Sequence, residues 1–149
     1  MAKKISSILD LRYQLVQGAP PCCVPDPVYP DLRMGLVYLK TNQNISLAYG
    51  NYVDVHTGIA MIDFPELLLN TEPPISIALI ARFYSIPEME EEDGIKLIAP
   101  KIRTIEDDDE IILTIHNTHK DIFNARKGSR IALMELDFLP KADFLLAGV

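Results

Sequence analysis

Residues 117–132 read Asn117-Thr-His-Lys-Asp-Ile-Phe-Asn-Ala-Arg-Lys-Gly128-Ser-Arg-Ile-Ala132, a polar stretch joining two apolar runs, Ile111 to His116 and Ser129 to Phe138. Short runs of Ile, Leu, Val and Tyr bounded by Asn, Gly, Pro or acidic residues read as β-strands. Outward from this stretch the same pattern recurs at Gly35 to Lys40, Ile45 to Ala48, Tyr52 to His56, Gly58 to Ile62, Ile75 to Phe83 and Ile95 to Ile98. About eight such strands in roughly 105 residues predict an all-β sandwich or jelly roll. No repeat of fixed period is visible.

The first thirty residues read differently. Ile5, Ile8, Leu9, Arg12, Leu15 and Val16 fall at three- and four-residue spacings between Ser6 and Gly18, which predicts a short amphipathic helix over Ser6 to Gln17. Pro20, Pro21, Pro25, Pro27 and Pro30 then forbid regular structure and predict an extended linker on the surface. Adjacent Cys22 and Cys23 are ill placed for an ordinary disulfide and lack the second pair of a zinc site, so they read as structural thiols of a reducing compartment. Two acidic clusters, Glu88 to Asp93 and Glu106 through Glu110, lack the alternating ligand pattern of a calcium loop and read as solvated loops.

The chain has 149 residues, 21 acidic against 14 basic, for a net charge of -7, and is 48% hydrophobic. That length and apolar content suit one packed core. The negative balance argues against nucleic-acid binding, where Lys and Arg dominate. No uncharged apolar run reaches 18 residues, so no membrane span is expected. The start, with Asp10 and Arg12 ahead of any long apolar stretch, is not a signal peptide. A cytoplasmic or host-cell intracellular, non-secreted protein is expected. His116 and His119 do not share a face on a strand-to-turn segment and read as turn and surface histidines, not metal ligands. Phe83 and Tyr84 read as core or interface aromatics.

The opening stretch resembles the hairpin and final strand motif of the trimeric dUTPases and the related dCTP deaminases. In those enzymes a strand ends in Asn, a hairpin follows, and Lys-Gly-Asp-Arg-Ile-Ala-Gln begins the next strand. Lys127, Gly128, Arg130, Ile131 and Ala132 match. Val55-His-Thr-Gly-Ile-Ala-Met61 is similar to the family's Val-x-Thr-Gly-Ile-Ala strand, and Asp31-Leu-Arg-Met-Gly35 to the deaminase branch's Asp-Leu-Arg-Leu-Gly, with Arg33 inside it. The resemblance covers roughly residues 5 to 138 and implies a distorted β-jelly roll assembled as a homotrimer. It divides the chain into an N-terminal helix and Pro-rich segment (1–30), a dUTPase-like β domain (31–138) and an apolar tail (139–149).

The residues that carry the family's chemistry do not follow the same pattern. A dUTPase needs an Asp to orient water for attack on the α-phosphate, with a metal clamping the phosphate oxygens. Arg103 or Thr104 stands there, and the Tyr that stacks on the sugar is missing. The phosphate-cradling Pro-Arg-Ser-Gly segment is Ala81-Arg-Phe-Tyr84, keeping only Arg82. The Gln after Arg-Ile-Ala is Leu133, and the Gly-rich C-terminal arm is replaced by Asp143-Phe-Leu-Leu-Ala-Gly-Val149. The deaminase's general acid/base Glu falls at Thr114, whose hydroxyl cannot take up a proton near neutral pH. Asp107 to Asp109 substitute only after a shift of register.

These departures imply a catalytically inactive relative with no catalytic residue, metal or cofactor. The dUTPase-derived adenoviral early-region-four protein is similar in having lost its catalytic motifs, which points to a viral source and to binding of a host or regulatory protein. Asp31, Arg82 and Arg130 are the residues the resemblance leaves for nucleotide contact. Phe144, Leu145, Leu146 and Val149 form a candidate interaction tail, read as strand addition to a neighbouring subunit or partner. The alternative is an active or nucleotide-binding dUTP pyrophosphatase or dCTP deaminase with diverged motifs, for which Mg²⁺ is implied.

Overall fold

Buried and outward residues alternate along the longer strands, and this period of two builds the sandwich. Ile111, Leu113, Ile115 and Asn117 are buried while the residues between them reach the surface. A computed structural model describes residues 11–16, 18–32, 34–62, 67–99, 102–104 and 109–148. In chain order the elements are β1 (Arg12–Leu15), β2 (Asp26–Pro27), β3 (Leu36–Lys40), β4 (Ile45–Leu47), β5 (Tyr52–Ile62), β6 (Leu67–Leu69) and β7 (Ile75–Tyr84). A short helix α1 (Pro87–Glu92) follows, then β8 (Ile95–Ala99), β9 (Ile102–Thr104), β10 (Glu110–Asn117), β11 (Phe123–Ala125) and β12 (Arg130–Pro140).

One sheet runs β1-β5-β10-β8, the other β2-β3-β12-β7-β6 with β9 also paired to β7, and β11-β4 form a small third ribbon. All of these pairings are antiparallel. Leu39, Val55, Ile59, Ile111, Leu113, Ile115, Ile131 and Ala132 are essentially inaccessible and belong to one core cluster. The fold is the expected all-β distorted jelly roll.

Four local expectations are corrected. The helix over Ser6 to Gln17 fails at Arg12–Leu15, which zip antiparallel onto β5 with Arg12 opposite Ile62 and Leu15 opposite Ile59. Three- and four-residue spacings in so short a segment do not outweigh the hydrogen bonds offered by a sheet edge. Residues 6–10 and 17 of that expected helix lie outside the described residues.

The Pro-rich segment is not wholly irregular. Pro21–Cys23 make a 3₁₀ turn, β2 pairs with β3, and Cys23 is fully buried. The first acidic cluster is solvated but helical. Pro87 supplies the fixed first helical position, and Glu88 and Glu90 suit the positive end of the helix. Residues 105–108, most of the second cluster, lie outside the described residues. Finally, Tyr52 to Ile62 is one strand rather than two. It passes through Gly58 at φ +73°, where β10 shifts register between Glu110 and Ile112.

Candidate functional site

Asn117 ends β10 with its side chain fully buried. Its Nδ2 donates to the carbonyls of Leu47 (2.8 Å) and Asp121 (2.9 Å), and its Oδ1 accepts from the His119 amide (2.8 Å). One side chain thus ties β4, β10 and the following turn together. Gly128 sits at φ +89°, and a Cβ there would lie 3.0 Å from the Cys22 Cβ and 3.1 Å from its sulfur. A side chain there would be strained by the positive φ and would have to push the Cys22 side chain aside by a few tenths of an ångström. Ile131 and Ala132 point into the core. The motif residues of this hairpin therefore serve the fold.

Arg82 and Arg130 share the larger sheet but do not converge. Arg82, on β7, stands opposite Glu135 of β12. Its Nη2 is 3.4 Å from Asp137 Oδ2 and its Nε 3.8 Å from Glu135 Oε1. Tyr84 adds a donor to Glu135 Oε1 at 3.4 Å. Arg130 lies five residues from Glu135 along β12, about 16 Å at strand rise. Its Nε bonds Asp26 Oδ2 at 3.0 Å and its guanidinium stacks 4.2 Å from the centre of the Tyr38 ring. Lys40 binds the other Asp26 oxygen at 3.1 Å. The hydrogen bond from Lys40, with that from Arg130, holds the Asp26 carboxyl below its usual range. Asp31 is exposed in the turn between β2 and β3, and Arg33 lies outside the described residues. Arg82 thus faces two carboxylates of its own chain, whereas Arg130 shares the single Asp26 carboxylate with Lys40. Glu135 and Asp137 were legible from strand period alone, because they alternate with Met134 and Leu136.

The outward face of the smaller sheet brings Thr114 and His116, weighed from the sequence, beside Asp54, Tyr52, His56 and Glu110, which were not read together. Thr114 donates to Asp54 Oδ1 at 2.7 Å. His56 Nδ1 meets Glu110 Oε1 at 3.0 Å, and the other Glu110 oxygen accepts the Gly58 amide at 3.1 Å. One row along, the His116 ring stacks on Tyr52 with centroids 4.1 Å apart. His119 lies instead in the turn after β10, 3.5 Å from Asp121. Among the described residues no three of His, Cys, Asp and Glu gather to hold a metal ion.

Two cavities flank helix α1. One of about 300 Å³ at the end of β7 is lined by Phe83, Tyr84, Ser85, Glu90, Lys96 and Ile98 among others. Phe83 faces the core with 2% exposure, while Tyr84 is exposed. The second, about 360 Å³, is lined by Glu92, Asp93, His119 and Asp121 and is unsuited to an anion. Both cysteines are free thiols, Cys22 exposed and Cys23 buried; burial is the main cause that raises the Cys23 thiol above its usual range. β12 runs to Pro140, and beyond it Phe144, Leu145 and Leu146 are 108%, 83% and 86% exposed. Val149 lies outside the described residues. No helix among the described residues is long and apolar enough to cross a membrane.

No protein-family model and no curated protein matches the sequence. The backbone is nevertheless similar to solved dUTPases. The dUTPase of Streptococcus mutans matches with a TM-score of 0.63 and 15% identity, over 91% of this chain and 98% of that one. A single-site variant of the dUTPase from S. aureus phage phi11, whose structure details coordination of a structural Mg(II) ion, gives 0.65 at 11% identity over 95% and 97%. The Staphylococcus bacteriophage 80alpha dUTPase with dUPNHPP gives 0.66 at 13% identity over 94% and 88%. That protein is described as controlling transfer of virulence genes by a proto-oncogenic G protein-like mechanism. The chain is a protein of the dUTPase fold.

Proposed function

We infer that this chain is a catalytically inactive relative of the dUTPases, of viral origin, acting as a homotrimeric interaction or regulatory protein. The observation that carries the reading is the neutralised Arg82. The one basic residue left of the phosphate cradle faces Asp137 and Glu135 at 3.4 and 3.8 Å, so a polyphosphate arriving there would meet two carboxylates of like charge. The regulatory role described for the phage 80alpha dUTPase supports a non-catalytic use of the same fold. The tail supports a partner. Phe144, Leu145 and Leu146 have nothing covering them, and burying such side chains is worth about 1.5–3 kcal/mol each. Strand addition to a neighbouring subunit or a host protein is the mode proposed for them.

Mg²⁺ does not fit the remaining donors beside Arg82, because Glu135 and Asp137 are committed to the arginine and Arg103 or Thr104 stands at the family's Asp. No hydrolytic step is derived through it. One observation favours the enzymatic alternative. A carboxylate, Asp54, does stand 2.7 Å from Thr114, the position of the deaminase's Glu.

Pyrophosphate release from dUTP and dCTP with Mg²⁺, run beside an ammonia assay, separates the two readings. The interaction reading expects background rates in both assays and is lost if the purified chain turns either substrate over. Light scattering tests the trimer, which a particle of 16.7 kDa at micromolar concentration refutes.

A further inference from the structure

We propose that Phe144 of one copy of this chain inserts into an apolar groove between the two sheets of a second copy, an inference that rests on the homotrimer reading above. The groove lies between β1 and β3. β1 is an edge of the smaller sheet, and among the described residues only the two-residue β2 flanks β3 on the outer side of the larger one. Ile59, Met61 and Met134 are its buried floor, and Val37 and Leu136 its half-buried walls. Tyr13 and Met34 form the rim, 40% and 55% exposed. Gly35 brings no side chain to it, and its carbonyl accepts the Leu136 amide at 2.7 Å. The space is about 250 Å³, and the Tyr13 hydroxyl is the one side-chain oxygen among the described residues that line it. Three methionines make an adaptable seat for an apolar side chain. Met134 and Leu136 alternate with Glu135 and Asp137, so this groove opens on the face of β12 opposite to the partners of Arg82.

The tail supplies the occupant. Phe144, Leu145 and Leu146 are almost wholly exposed, and their own groove is out of line. The Lys141 amide donates to the Ser76 carbonyl at 2.8 Å, holding the chain along β7 for five residues past Leu136, about 16 Å at strand rise. An immediate reversal would bring the Phe144 backbone back by only about 10 Å, short of Leu136. A second copy has no such limit. An aromatic side chain buries roughly 150–250 Å². With two leucines and the groove surface they cover, one contact is on the order of 800 Å², at the low end for a specific pair. Tail into groove is a heterologous contact, so a closed ring holds each protomer at two of them.

The chain has no Trp, so Phe144→Trp places a single reporter of burial in the tail. Buried-type emission is expected at the concentration where light scattering finds the trimer, with exposed-type emission on dilution. Met34→Asp, at the exposed rim, should expose the reporter and raise the dissociation constant of the trimer at least tenfold, and Phe144→Asp should weaken the trimer equally. In a Cys22→Ser background oxidised with copper–phenanthroline, Met34→Cys chains mixed with Phe144→Cys chains should form a disulfide between chains, and neither should do so alone. Exposed-type emission within the trimer overturns the contact, and so does a cross-link confined to one chain of the Met34→Cys/Phe144→Cys double variant. A trimer unchanged by Phe144→Asp also overturns it but leaves the homotrimer reading standing, whereas a monomeric parent chain removes both. Phe144 lies outside every strand, so Phe144→Asp decides the question should Met34→Asp disturb the fold.

Discussion

The hairpin from Asn117 to Ala132 and the patch around Arg82 both derive from motifs that resemble the dUTPase family, yet they have fared in opposite ways. In the hairpin most of the motif residues have a task inside the fold. Asn117 satisfies two carbonyls and one amide, Gly128 takes a positive φ close against the Cys22 side chain, and Ile131 and Ala132 are core. Around Arg82 the sequence departs from the family's Pro-Arg-Ser-Gly segment, and Arg82 itself is paired with Asp137 and Glu135. Folding and chemistry constrain different residues. A resemblance carried by the first kind transmits architecture without transmitting activity.

The hairpin half of that comparison is the easier to break. Asn117→Ala should cost roughly 3–5 kcal/mol, because it strands buried carbonyls and an amide with no solvent to replace the lost bonds. Urea denaturation with an unchanged slope reads this directly. A loss below about 1 kcal/mol would mean that water reaches the site and that the motif does not hold the fold. Gly128→Ala comes next, at about 1–3 kcal/mol. It combines the cost of a positive φ with a collision against Cys22. Pairing it with Cys22→Gly should restore the steric part and leave the conformational part. Failure to recover anything would place the whole cost in φ.

How far the sequence was legible follows the same division. The longer strands were readable because apolar runs bounded by turn residues need no knowledge of their neighbours. β1, β2, β6, β9 and β11 are two to four residues each and exist only because a partner strand offers them hydrogen bonds. The charge of Glu88 to Glu92 hid a helix whose signal was Pro87 at its start. At the candidate site the identities of Arg82 and Arg130 were legible, but their meaning lay in partners 55 and 104 residues away. Sequence spacing cannot show that such residues face carboxylates.

The Arg130 cluster should respond to pH. The Asp26 carboxyl is held below its usual range, first by Lys40 and then by Arg130. A depressed folded-state pKa adds stability at pH values above the unfolded carboxyl's own, about 3.9, and that stability fades as pH falls through the folded value. Asp26→Asn should therefore lower the urea midpoint at pH 7, by less than about 1 kcal/mol for so exposed a pair, and make no difference near pH 2. A gap that persisted into acid would assign the effect to packing rather than charge.

The smallest effect on stability, and the sharpest on function, is expected at Arg82. Its two ion pairs are half-exposed and long, so Arg82→Ala should shift stability by no more than about 1 kcal/mol. If the carboxylates are what close the old cradle, removing them should reopen it. Glu135→Gln with Asp137→Asn leaves Arg82 unneutralised on the same sheet. Calorimetric titration with dUPNHPP should then find tighter binding in this double variant than in the parent chain. In the triple variant that also carries Arg82→Ala, the gain should vanish. Binding by the parent as tight as by the double variant would mean that Arg82 is not shielded, and the contrast between the motif-matching hairpin and the Arg82 patch would fail at its functional end.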